Sequence, residues 1–591
     1  MKRLTNERSP YLRHAAEQKI DWYTWSEEAF KKAVEEDKPV FLSTGAVWCH
    51  WCHVMAKESF GNEEIAGILN EKFVCIKLDR DEHPDIDRRY QKAVAAMGSA
   101  GGWPLSVFLM PDKRPFFGGT YFPPEASHGR PGFGKILGAV HDFYKTKKAD
   151  VSAYADSVIE HLGPEESLPG ELDRAMVDRA VETVLAEFDS SNGGFGTFPK
   201  FPMPGALELL ISRYSQAKDE AAASAVKRTL RAMAEGGFHD QLQGGFHRYS
   251  VDEAWFVPHF EKMADDNAWL LRNYVSAYSL FGDEYFREVA EGIIRFSRKV
   301  LSGPEGGFYA SQDADVTPDD EGGYFTWTDE DFRRALDEEE HGILSLHFFS
   351  PRAQMHHNES KYVLCIAKQP DEIAELTGIE IRRIKEIIIS GRKKLLAERD
   401  NRTAPFIDKT IYTSLNGMFI TACMNAYRVL GDESIREFGL LSLDRILSDH
   451  VIVGRLYHCI GVQALLDDYI FLTEALISAY EATDERLYLE RAEGFMRSCI
   501  EKFGDSPSGG FFDSEEGLLG IKLKQVEDIP HPSANAVAVI CLLKLYDVTG
   551  DGLYLRHAES SLKAFSLKAA SFGLHAGSYF SALDAYFKIN A

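Results

Sequence analysis

A tyrosine followed four residues later by Gly-Asp recurs through the rear of this chain, and no other feature constrains the fold as much. It stands at Tyr278, Gly282 and Asp283, at Tyr427, Gly431 and Asp432, and at Tyr546, Gly550 and Asp551, with looser copies at 214–219 and 480–484. Each copy separates two helix-length apolar periodicities. Glycine suits the left-handed residue that ends a helix, and aspartate accepts the first free amides of the next one. Five αα-hairpins follow, and residues 172–188 with the less regular 329–399 region are expected to complete six. The expected rear fold is therefore an all-α (α/α)6 toroid over residues 172–591. Glycine-aromatic turns follow the second helices at 236–239, 306–309, 454–458, 509–512 and 573–575, and connectivity gathers them at one end.

The front reads differently. The apolar run 39–44 leads into Trp48-Cys49-His50-Trp51-Cys52-His53. Strand, thiol pair, then helix puts Cys49 where helix N-terminal amides stabilise a thiolate. Helices at 54–69, 85–96 and 133–148, strands at 72–78 and 105–110 and an edge hairpin at 118–122 predict an α/β layer over residues 1–161. Breaker-rich, acidic 162–171 reads as a linker. Gly101-Gly102-Trp103-Pro104 precedes the second long strand, and its proline is a candidate for the cis form. C-x-x-C-H is also the c-type haem attachment signature, which requires export, and four Cys and His ligands would suit zinc. A closed zinc site usually draws on two separated pairs, and there is no second C-x-x-C. Redox chemistry at Cys49 and Cys52 is favoured, with a degenerate docking fold as its alternative.

Composition narrows the function classes. A net charge of −25 over 591 residues repels nucleic acid and anionic membranes, and no apolar run reaches the roughly 18 residues of a membrane span. The first residues lack an apolar signal core, and eight cysteines in so long a chain are no disulfide framework. A cytoplasmic protein is expected. Neither a metal nor a cofactor is called for.

Asn6-Glu7-Arg8-Ser9-Pro10-Tyr11-Leu12, Asp21-Trp22-Tyr23, the cysteine motif, Gly101–Leu105, Gly118–Pro123, Gly244–Asp252 and Pro258–Met263 resemble the spermatogenesis-associated protein 20 family. The resemblance implies a thioredoxin-like domain joined to a six-hairpin, glycosidase-like toroid akin to the N-acylglucosamine and cellobiose 2-epimerases. It implies that Pro104, with Trp103, holds a disulfide partner protein facing the reactive cysteine. Thioredoxins carry a buried carboxylate on the leading strand. Residues 40–44 have none, which leaves His50 or His53 to take that part. At 531–536 the family pattern Pro-Ser-Gly-Asn-Ser is replaced by Pro-Ser-Ala-Asn-Ala.

Register carries the rear segment further. Asn267, Asn416, Tyr469 and Asn535 each lie eleven residues before a repeat tyrosine. Three helical turns separate such positions, so they share a face. With Asp266 and Asp468 they are expected to floor a funnel walled by Arg248, Tyr249 and Trp327, suited to a sugar-like ligand. For an epimerase, His247 and His259 are the proton-transfer candidates, with Glu261 in support. For a hydrolase, Glu261, Asp313, Asp315 and Asp468 are eligible carboxylates. Capping and buried hydrogen bonding explain each polar residue singly, and a non-catalytic glycan- or peptide-binding scaffold remains a third reading.

Overall fold

The computed structural model describes residues 3–127, 131–163, 169–317, 319–356, 358–529 and 531–589. The expected linker falls partly on residues 164–168, outside the described residues. The chain divides into two compact units, Met1–Glu166 with Asp513–Leu523, and Ser167–Phe512 with Lys524–Ala591. Residues 513–523, expected with the rear segment, thus group with the first unit.

The first unit is a five-stranded mixed sheet of β1 (Trp22–Tyr23), β2 (Val40–Gly45), β3 (Val74–Asp79), β4 (Leu105–Leu109) and β5 (Pro115–Gly119), in the order β1-β3-β2-β4-β5. β2 runs parallel to β3 and antiparallel to β4. Helices α1 (Pro10–Ala15), α2 (Glu27–Glu35), α3 (His50–Glu58), α4 (Glu63–Lys72), α5 (Pro84–Ala96), α6 (Phe133–Thr146) and α7 (Lys148–Leu162) accompany it. Strand alternation divides the core. Phe41, Cys75 and Phe108 join Met55, Leu69 and Phe133 on one face. Val40, Leu42, Ile76 and Val107 join Phe30 and Tyr90 on the other. One expected helix proves to be two, and another is followed at once by a helix that was not expected. Residues 54–69 break where Asn62 caps α4 through its side-chain oxygen, and 133–148 stops at Lys147, after which α7 begins.

The second unit is a double ring of helices. These are α8 (Ala175–Ala186), α9 (Pro204–Ala217), α10 (Glu220–Glu235), α11 (Ala264–Phe281), α12 (Glu284–Lys299), α13 (Asp329–Ala335), α14 (Glu338–Phe348), α15 (Pro370–Thr377), α16 (Ile381–Asp400), α17 (Thr413–Leu430), α18 (Glu433–Asp449), α19 (Leu466–Thr483), α20 (Arg486–Phe503), α21 (Ala534–Thr549), α22 (Gly552–Ala569) and α23 (Gly577–Ile589). Neighbouring inner helices run α9, α11, α17, α19, α21, α23 and back to α9, and α10, α12, α18, α20 and α22 back five of them.

The repeat turns behave as their residues require. Gly282, Gly431 and Gly550 take left-handed φ of 65°, 73° and 70° at the ends of inner helices. Asp283, Asp432 and Asp551 then cap the outer ones. In the looser copies Lys218 and Asp484 occupy the left-handed position instead. The sixth hairpin differs from expectation. α23, at the end of the chain, packs on α8, at the start of the unit. The 329–399 region stands outside the ring, with α13, α14 and α16 closing a core of their own around Phe332, Leu344 and Ile384. Among the described residues no helix is long and apolar enough to cross a membrane.

Candidate functional site

In the first unit the cysteines sit as their spacing predicts. Cys49 is the N-cap of α3, and its Sγ accepts the backbone N–H of Cys52 at 3.2 Å. The two are joined as a disulfide. Both are buried, whereas Trp51 between them is exposed. The Trp103–Pro104 bond is cis. Trp48 and Trp103 meet at 5.8 Å, and both oxygens of buried Asp87 accept the Trp103 indole N–H at 3.2 Å. Burial raises the Asp87 pKa against the opposing pull of Arg80, Thr44 and Trp103. A groove of about 900 Å³ opens here, lined by Trp51, Glu58, Gly102, Trp103, Thr120 and Tyr121. His53 donates its Nε2–H to the Val47 carbonyl at 2.7 Å, which makes Nδ1 the basic nitrogen of its ring. His50 packs against Trp51.

In the second unit only part of the expected funnel comes together. Tyr249 pairs with His259 across a short antiparallel ladder. Their rings lie 4.8 Å apart, and Phe201 stacks on Tyr249 from 4.7 Å. His259 Nδ1 is 3.2 Å from Glu321 Oε1. Burial acts to lower the His259 pKa, but the Glu321 hydrogen bond and the Glu261 and Asp315 carboxylates outweigh it, and the net shift is upward. Glu261 is buried, which raises its pKa against the pull of His259 and Arg248, and its Oε2 has no hydrogen-bond partner among the described residues. Asp315 bridges to Glu321 through the backbone. Asp313 accepts the Asp315 N–H at 3.3 Å, which makes it an organiser of that loop. Glu321 and Phe201 were not anticipated. Neither belongs to a repeat, and both reach the cluster from irregular segments. Asp266 lies buried in the first turn of α11.

The remaining expected residues serve the scaffold. Asn267 accepts the Phe246 N–H and donates to the Phe246 and Met263 carbonyls. Asn416 does the same with Phe308 and Tyr412, and Asn535 with Phe511 and Gln525. Both amide hydrogens are consumed in every case, leaving no donor for a sugar hydroxyl. Each clamp holds the aromatic residue of a Gly-Gly-Phe turn whose glycines have φ near 75–84°. The recurrent glycine turn is therefore 244–246, not 236–238, where Gly236 has φ −73°. Two of these turns add a fastening. Asp240 binds Lys262 Nζ, and Asp505 binds Lys524 Nζ, each at 2.7 Å. Each lysine also donates to the first glycine carbonyl of its turn. Asn416→Ala would strand the Phe308 N–H and carbonyl, while the Tyr412 carbonyl keeps the residue-416 amide, so we expect a loss of about 3 kcal/mol in urea unfolding.

Tyr469 packs between Phe495 and Phe503. Trp327 is wholly buried under Arg402 and against Phe332. Asp468 caps α19 and binds His458 Nδ1 at 2.8 Å. His247 lies edge-on to Phe260 and Phe325 with its Nδ1 on the Phe260 carbonyl. Burial, then Lys262, lowers its pKa to about 3, so it is neutral near neutral pH. Among the described residues no group of three or more His, Cys, Asp or Glu is arranged to hold a metal.

A sequence from Homo sapiens, spermatogenesis-associated protein 20, is 35% identical to this chain over 624 residues, covering 95% of this chain and 78% of its own length. The chain belongs to the spermatogenesis-associated protein 20 family. The Mus musculus member is likewise 35% identical, over 95% of this chain and 78% of its own. The family model described as Thioredox_DsbH, protein of unknown function, DUF255, matches residues 1–163. Among solved structures, cellobiose 2-epimerase from Bacillus thermoamylovorans is 12% identical, with a TM-score of 0.43 over 67% of this chain and 87% of its own. This chain carries a thioredoxin-like unit and a toroid of paired helices.

Proposed function

We propose that the first unit is a thiol–disulfide oxidoreductase acting on exposed disulfides of protein partners. One observation supports this above the others: Cys49 caps α3 with its sulfur on the Cys52 amide, beside a groove framed by Trp51, Trp103 and Tyr121. Amide hydrogen bonds and the helix N-terminus favour the thiolate over the thiol. With the pair reduced, Cys49 attacks one sulfur of the partner disulfide and forms a mixed disulfide, and the other partner sulfur leaves and takes a proton. Cys52 then attacks Cys49 Sγ, which restores the intramolecular disulfide and releases the second partner thiol. A dithiol donor returns the two electrons. Cys52→Ser should accumulate a one-to-one mixed disulfide with a peptide disulfide, cleaved by added dithiol, and Cys49→Ser should form none. Absence of that adduct, with Cys49 alkylating like a free thiol of pKa near 8.5, would refute the proposal.

A second reading concerns the toroid. His259, aligned by Glu321, and the buried, unsatisfied Glu261 form an acid–base pair of the kind that moves a proton beside a sugar carbonyl. Reducing mono- and disaccharides incubated in D2O should gain deuterium next to the carbonyl with the native protein and not with Glu261→Gln. Binding without exchange would leave the toroid a scaffold.

A further inference from the structure

β3 is buried along its whole length, yet Lys77 stands in it at 2% exposure. Its Nζ donates to Ser43 Oγ at 3.1 Å, across the register that pairs Ser43 with Lys77. The rings of Tyr11, Phe60 and Trp22 surround the nitrogen at 4.6, 4.7 and 5.1 Å from their centroids. No carboxylate forms an ion pair with it among the described residues. Burial alone lowers its pKa to about 7, so a neutral amine is within reach near neutral pH.

Tyr11 extends this group to sulfur. A Cβ added to Gly45 would stand 2.6 Å from the Tyr11 hydroxyl oxygen and 2.6 Å from Cys52 Sγ, so those two atoms share the space over one α-carbon. Ser43 is the side chain that bears on the hydroxyl. Among the described residues the buried hydroxyl oxygen has no hydrogen-bond partner in this disulfide form, so it can accept from the Cys52 thiol that reduction creates. β2 (Val40–Gly45) brings no carboxylate to that space: Ser43 faces it, and Lys77 opposite Ser43 is the titratable group. The other charges bearing on this region are Asp79, at the end of β3 and bound to Ser9, and Asp87 on α5, bound to Thr44. Burial first, then Asp79 and Asp87, raise the Tyr11 pKa and disfavour its ionisation, which keeps the phenol protonated.

We infer that Lys77, through the Ser43 and Tyr11 hydroxyls, accepts the proton of the Cys52 thiol and so controls the rate at which Cys52 resolves the mixed disulfide. The inference rests on the oxidoreductase reading of Cys49 and Cys52. In the step, the Cys52 S–H bond breaks, its proton passes along the hydroxyls, and neutral Lys77 becomes an ammonium. The Cys52 thiolate then forms the S–S bond to Cys49 as the Cys49–partner S–S bond breaks. The departing partner thiolate takes a proton from solvent, and Lys77 returns its own. No net charge accumulates. The partner gains the two electrons that the cysteine pair loses.

The test separates the two chemical steps in the full-length protein, reduced with dithiothreitol and freed of it. A fluorescent peptide disulfide reports mixed-disulfide formation and release in stopped flow, and iodoacetamide reports Cys49 reactivity. Lys77→Met should leave Cys49 alkylation as it is, slow release about 100-fold at pH 7, and let the mixed disulfide accumulate. Its release rate should then follow the thiol's own titration near 8.5, where the native rate rises through about 7. Tyr11→Phe should do the same with Lys77 intact, and it serves if Lys77→Met does not fold. Native release rates and pH profile in both variants would overturn the inference, as would equal slowing of alkylation and release. If the native protein forms no mixed disulfide at all, the oxidoreductase reading falls, a result distinct from either of these.

Discussion

Replacing Arg89 with methionine should destabilise the first unit by about 3–5 kcal/mol. Arg89 and Asp513 are 4% and 5% exposed, and their fork is bidentate at 2.9 and 3.0 Å. The guanidinium also donates to Ser514 Oγ, the Ile521 carbonyl and the Asp85 carbonyl. Methionine fills much of the volume but leaves the Asp513 carboxylate buried with only the Ser514 hydroxyl and the Leu523 amide. Lysine is a poor substitute, because it lacks the planar fork. Arg89→Met with Asp513→Leu should recover most of the loss, since no charge is then stranded. Guanidinium unfolding of the single and double variants gives the coupling energy directly. Proteolysis should find a new cut within 513–523 in Arg89→Met, because that segment is held by this ion pair and by Ile521 and Leu523 against Ala93, Val158 and Leu162.

That ion pair was invisible in the sequence for a simple reason. Asp513 and Arg89 are 424 residues apart, and nothing local tells a charged residue whether its partner lies one turn or four hundred residues away. The ring was legible where chain direction reverses. A residue with φ near 70° is required after α11, α17 and α21, glycine tolerates it, and the aspartate that follows is a natural N-cap. The closing hairpin was not legible, because α8 and α23 are joined by no turn at all. Only the packing of the two ends of the unit makes them a pair.

The candidate site shows the same division. Spacing located Cys49 and Cys52 because their chemistry depends on a local event, the start of α3. Spacing also brought Asn267, Asn416 and Asn535 into one register, correctly, but a register states only which residues are equivalent. The equivalence came from a repeated clamp on Phe246, Phe308 and Phe511, a backbone need that recurs with every hairpin. His259 and Glu261 lie in an irregular stretch outside the repeat, and their partner Glu321 lies in another. Lys77 left one trace, a cation flanked by apolar residues within a strand.

Asp528 should make the stability of the second unit fall as pH rises from about 4 to 7. Its carboxyl is buried where α9, α21 and α23 begin, close against Gly205. Burial raises its pKa to about 7, against the Ser578 and Ser533 donors that favour the charged form. The sign follows from proton binding. Between pH 4 and 7 an unfolded aspartate is ionised while the folded one keeps its proton, so folding takes up a proton and is opposed by rising pH. At about 1.4 kcal/mol per pH unit, the full span amounts to about 4 kcal/mol. His239 and His247 act oppositely, since burial lowers both to about 3 and their contribution is lost as pH falls. The difference between native protein and Asp528→Asn isolates the carboxyl. Urea unfolding at pH 4.5, 5.5, 6.5 and 7.5 should show the native protein losing stability relative to Asp528→Asn at each step up to 7 and no further beyond it. A constant difference across that range would mean that the Ser533 and Ser578 donors hold Asp528 ionised throughout.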